Sequence, residues 1–319
     1  MVPAAVSAAA VPKVATAATT TCLPDLSKLK TRHISKFEVI YKTPRGNPNG
    51  LALTTNPGEM WIINQATGSH ASLINISDGS LVREFETDTR GDSGICVDDD
   101  NVMWITSTGN RLIVSCSPDD GKTIAKYVAP GAGRIYEQAG DPPARNTTLE
   151  FAYPRPPRPP RPSNPLQNVG ATAGQLHPGD GKLPPGQVPL DMEDTPAGSG
   201  SHGLISKGNL LYVASPPSRT IFVIDKKSWV VQNRFPTPGN RPHGITWTSS
   251  AKTHFWSADS NFNAFFLYNA SSGQITERLQ VGDDSPVIHG AKLILNGPGA
   301  GYMYCCDDHG WMWRFKMPT

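Results

Sequence analysis

Apolar residues along the chain come in short runs of roughly five to seven, each closed by Gly, Asn, Asp or Ser, with no sustained 3.6-residue period. Segments such as EMWIINQ, SLINIS, VMWITST, LIVSCS, TIFVID and FFLYNA therefore read as strands, and helices are not expected.

The runs repeat. A turn ending in Gly opens each copy, at NPNGLALT (Gly50), GDSGICVD (Gly94), SHGLIS (Gly203), RPHGITW (Gly244) and VIHGAKL (Gly290). The second strand of each carries an aromatic at one matching place: Trp61, Trp104, Tyr212, Trp256 and Tyr304. Units of roughly 40 to 50 residues with four short strands each are the pattern of propeller blades. The fold class expected is all-β, a β-propeller with five recognisable four-stranded blades. Residues 33–42, HISKFEVIYK, form a lone strand that completes the last copy and closes the ring, removing an exposed edge. The equal place of the aromatics in every copy assigns them to packing between blades. The long interval between Gly94 and Gly203 leaves room for a degenerate sixth blade.

Composition refines this picture. Thirty Gly, thirty Pro and only 18% charged residues suit strands and turns. A net charge of +2, from 29 basic and 27 acidic residues, supplies no field for nucleic acid, and no apolar stretch has the roughly 20 residues of a membrane span. Residues 1–32 read as a disordered lead or the remnant of an export signal, because 1–21 are nearly all Ala, Val, Thr and Pro; this points to a secreted or periplasmic protein. Residues 33–319 are expected to form one propeller domain, a monomer acting on a small molecule. A Pro/Gly-rich insertion at about 131–198 contains PRPPRPPRP, which suits polyproline II or irregular loop.

The five cysteines lack paired CxxC spacing, so a thiolate zinc site is not expected. Cys96 and Cys116 are read either as a bridge or as buried thiols, and adjacent Cys305 and Cys306 as thiols or a strained ring.

Register turns the repeats into a candidate site. The innermost strand of each blade starts at the channel, so the residues before the five glycines share one mouth: Asn49, Ser93, His202, His243 and His289. The second strands return to the same face and bring Asn64, Asp259 and Asp307, with His309 beyond. Three neutral imidazoles at one level suit a divalent transition metal with open positions, so His202, His243 and His289 are the candidate ligands for zinc, manganese, iron or magnesium. His309, Asp259 and Asp307 are candidates for proton transfer. Asn49, Asn64, Ser93, Arg134 and Tyr136 are candidates for holding substrate.

Through RPHGITW and the following HFWSADSNFNAFFLYNASSGQITERL, the chain resembles the streptogramin-lyase (virginiamycin B lyase-like) group and the related NHL-repeat propellers. The resemblance implies a propeller whose mouth opens a cyclic ester by elimination, with a histidine base and magnesium; His243 and His289 match the general positions. The peptidyl-hydroxyglycine lyases, which look like more distant relatives, hold zinc with three strand-start histidines, a precedent for His202, His243 and His289. The function expected is thus a metal-dependent lyase at the mouth. The alternatives are a non-catalytic NHL-type binding propeller and a lactonase-like hydrolase.

Overall fold

The computed structural model describes residues 13–14, 24–65, 68–89, 91–108, 112–130, 201–216, 220–239, 241–260, 262–282, 285–307 and 309–318. Five antiparallel four-stranded meanders surround one axis. Blade 1 comprises Pro48–Leu53, Glu59–Asn64, His70–Asn75 and Leu81–Glu86. Blade 2 comprises Asp92–Val97, Met103–Ser107, Leu112–Cys116 and Thr123–Val128. Blade 3 is built from Leu204–Lys207, Leu210–Ser215, Thr220–Asp225 and Val230–Pro236. Blade 4 uses Pro242–Trp247, His254–Asp259, Ala264–Asn269 and Ile275–Val281. Blade 5 takes Ala291–Leu293, Tyr302–Cys306 and Trp311–Lys316 from the end of the chain and Glu38–Lys42 from its beginning. Among the described residues no helix is long and apolar enough to cross a membrane.

The expected N-terminal strand is two strands. Glu38–Lys42 pairs antiparallel with Trp311–Lys316 and closes the ring. Lys30–Ile34 instead runs parallel to Ile275–Val281, as a fifth strand on blade 4, so the boundary drawn at residue 32 falls inside a strand. A short strand at Lys13–Val14 likewise lies parallel to Val230–Val231 on blade 3.

Five apolar clusters hold the ring, one between each pair of consecutive blades. Trp61 packs with Ile95, Met103 and Ile105 of blade 2, and Trp104 with Leu204, Leu211 and Val213 of blade 3. Tyr212 joins Ile245 and Phe255, Trp256 joins Ala291 and Met303, and Tyr304 closes the circle against Leu51, Met60 and Ile62. Each aromatic is buried, so its area stabilises an interface between blades, at about 25 cal/mol per Å² removed from water. Cys96 and Cys116 belong to different clusters on opposite faces of blade 2, and they, Cys305 and Cys306 are buried free thiols.

The repeated glycines have one shared cause. A methyl group at Gly50 would lie 2.8 Å from the Gly94 Cα, and one at Gly94 would overlap the His202 carbonyl. A methyl at Gly203 would overlap the His243 carbonyl, one at Gly244 the Ala291 nitrogen, and one at Gly290 would come within 2.8 Å of the Asn49 carbonyl. The five innermost strands thus touch in sequence around a constriction that admits no side chain. Because the Gly94 and His202 backbones touch, no sixth blade stands between blades 2 and 3. The Pro/Gly-rich insertion lies outside the described residues.

Candidate functional site

Just above the glycine ring, the strand starts bring Asn49, Ser93, His202, His243 and His289 to one level, all buried. The three imidazoles form a row: ring centroids lie 4.3 Å apart for His202 and His243, and 4.8 Å apart for His243 and His289. The backbone sets this row. The His202 N–H donates to Ala214 and the His289 N–H to Cys306 within their own blades, and the Gly244 N–H donates across to the His289 carbonyl. Thr106, from the second strand of blade 2, donates its hydroxyl to the His202 carbonyl at 2.7 Å.

One tautomer follows from hydrogen-bond accounting. The Ser260 hydroxyl donates its single proton to the Ile288 carbonyl at 2.5 Å, and the same oxygen bonds His243 Nδ1. Nδ1 must then be the donor, which leaves the lone pair of His243 on Nε2. His202 Nδ1 shares a 2.5 Å hydrogen bond with the Ser93 hydroxyl.

Burial governs the electrostatics. It pushes His202 down to about 3, with the positive charge of Arg241 adding to the effect. His243 is driven well below the ordinary histidine value, first by burial and then by His202, His289 and Arg241. These two rings are neutral at physiological pH.

The remaining candidates are placed as follows. The Asp259 carboxylate, buried, accepts from the Arg241 and Phe262 backbone N–H groups at 3.0 Å each and so holds two mouth loops together. Asp307 accepts from the His309 and Trp311 N–H groups in a tight turn, with its carboxylate buried and the His309 ring exposed. The Asn64 amide donates to Ser72, while Asn49 Oδ1 and Asn64 Oδ1, both buried, have no hydrogen-bond partner among the described residues. Arg134 and Tyr136 lie outside the described residues. Among those described, no group of three or more His, Cys, Asp or Glu side chains is arranged to hold a metal ion.

Ser260 and Arg241 are missing from the sequence reading. Ser260 follows Asp259 at the end of a second strand, one residue beyond the position that the repeat register selects, and Arg241 stands two residues before the selected His243.

No family model and no curated protein sequence matches the chain. Among solved structures it is similar to the glutaminyl cyclase of Myxococcus xanthus, with a TM-score of 0.51 and 9% identity over 90% of this chain and 97% of that one. A second similar structure is virginiamycin B lyase from Staphylococcus aureus, with a TM-score of 0.40 and 17% identity over 86% of this chain and 68% of that one. The likeness is one of fold. The β-propeller expected from the streptogramin-lyase and NHL resemblance is the architecture found.

Proposed function

We propose that the protein is an enzyme that binds a small anionic molecule at the propeller mouth and uses His243 Nε2 to accept a proton from it or from a water beside it. The observation that carries this reading is the fixed tautomer: Ser260 and Ile288 hold His243 with its lone pair on Nε2. Without a ligand so depressed an imidazole is a weak base, because burial and Arg241 both disfavour its charged form. A bound anion beside Arg241 reverses both effects. It screens the guanidinium and gives the imidazolium a counter-charge, which moves the ring toward the range in which a general base works. Two reaction classes fit such a base. In elimination, His243 takes a carbon-bound proton, the electron pair left behind forms the double bond, and the leaving group departs with its own pair. In hydrolysis, His243 takes a proton from water as the oxygen attacks.

The unpartnered Asn49 and Asn64 oxygens supply acceptors for substrate N–H or O–H groups. Buried, neutral histidines equally support a second reading, a binding propeller whose mouth is lined by uncharged hydrogen-bonding rings.

Tag-free protein incubated with a panel of cyclic esters and other small carboxylated substrates separates the two. Turnover that falls at least a hundredfold in a folded His243→Gln variant supports the enzyme; ligand binding without turnover across the panel favours the binding module. Elemental analysis of the same preparations decides whether a divalent ion is retained through His243.

A further inference from the structure

Below the glycine constriction the channel widens again. Two residues after each glycine stand Ala52, Cys96, Ile205, Thr246 and Lys292, and all five line one cavity of about 160 Å³, room for several water molecules. Four of the five are uncharged; the exception is Lys292. It is 8% exposed, and its ammonium makes one hydrogen bond, to the Ile245 carbonyl at 3.4 Å. Among the described residues no carboxylate pairs with it, and no Asp or Glu lines the cavity. The neighbouring ammonium groups are already paired, Lys226 with Asp98 and Lys252 with Asp99, each at 2.7 Å. Ser206, also in the cavity lining, has a buried hydroxyl with no hydrogen-bond partner among the described residues. An ammonium with donors to spare and an idle hydroxyl, in a cavity without an acid, are complementary to a compact oxyanion.

We propose that this cavity is a binding site for one small oxyanion of carboxylate or phosphate size, held by Lys292 Nζ and Ser206 Oγ. The site is separate from the histidine mouth: none of the mouth residues lines the cavity, and the glycine ring lies between the two.

The charge on Lys292 gives the site a pH dependence. Burial lowers this lysine to about 8, with the positive charge of Lys252 adding to the effect. The Cys96 thiol is itself pushed up to about 12 by burial and stays uncharged, and the nearby Asp98 and Asp99 carboxylates are taken up by Lys226 and Lys252. The oxyanion requires the ammonium form. Affinity is therefore full below pH 8 and falls by about tenfold per pH unit above it.

The test is isothermal titration of the full chain with sodium acetate, and separately with inorganic phosphate, at an ionic strength held constant with chloride. The expected result at pH 6.5 is one saturable site for at least one of the two anions; which anion it is identifies the source. Acetate affinity should fall at least tenfold at pH 9.5 and in Lys292→Met, survive in Lys292→Arg, and weaken severalfold in Ser206→Ala. If phosphate alone binds, the same variants are compared with phosphate at pH 6.5. The proposal is overturned by the absence of saturable heat with either anion. It is equally overturned by affinity that survives Lys292→Met, or that is lost in His243→Gln while Lys292→Met retains it. The wild-type pH series reads out Lys292 even if a variant does not fold.

Discussion

Gly290 of blade 5 rests against the Asn49 carbonyl of blade 1, so close that a methyl group there would come within 2.8 Å of the oxygen and 2.7 Å of the Cys306 sulfur. This contact joins the last innermost strand to the first and makes the sheet array a ring.

Gly290→Ala should therefore cost about 1–3 kcal/mol, the range for overpacking a rigid interior. Gly46→Ala is the control, since a methyl there meets nothing within 4 Å. Urea denaturation should show a lower midpoint for the first variant and an almost unchanged one for the second.

The His243 tautomer can be read directly. Nitrogen-15 NMR of the imidazoles should show His243 with a protonated Nδ1 and an unprotonated Nε2. Ser260→Ala removes the acceptor of a buried N–H and should destabilise the protein by about 1–3 kcal/mol. A protonated Nε2 in the wild type would contradict the assignment.

Acid stability follows from His202. Its folded value of about 3 lies below the ordinary 6.5, so below pH 6.5 the unfolded chain binds the extra proton. Stability should fall as pH drops from about 6.5 toward 3, and His202→Gln should flatten that slope in a melting series.

Asp92 acts with the opposite sign. Burial raises it to about 7, while hydroxyl donors including Thr87 hold it down in part. Between about pH 4 and 7 the folded chain binds the extra proton, so this carboxyl costs stability as pH rises. Asp92→Asn should raise the melting temperature at pH 8 and change it little at pH 4.

Asp98 accepts hydrogen bonds from Lys226, from the Trp104 indole and from the Asp100 and Val102 N–H groups. Asp98→Ala leaves the Lys226 ammonium buried without that carboxylate and should cost about 3–5 kcal/mol in chemical denaturation. Lys226→Met should cost less, because the other three donors remain on the carboxylate.

The repeat was legible because a ring imposes the same demands five times. Every innermost strand needs a glycine at the constriction and every second strand an aromatic packed against the next blade, so Gly50 and Trp61 recur as Gly94 and Trp104 and onward. The strand at 33–42 was only half legible. Alternation marks a strand but does not name its partner, and Lys30–Ile34 found the open edge of blade 4 while Glu38–Lys42 found that of blade 5.

By itself the sequence determined the repeating blade, the closure of the ring and the gathering of His202, His243 and His289 at one level, because each follows from a period and a register along the chain, while the contact between the Gly94 and His202 backbones decided that the blades number five and not six. Only the tertiary structure decided what those imidazoles do to one another. Their ring-to-ring packing, the Ser260–Ile288 relay on His243 and the approach of Arg241 depend on side-chain torsions and on which blades adjoin, and neither is written in spacing. The lower cavity was hidden for the same reason: Lys292 is one lysine among many until four uncharged neighbours from four other blades close around it.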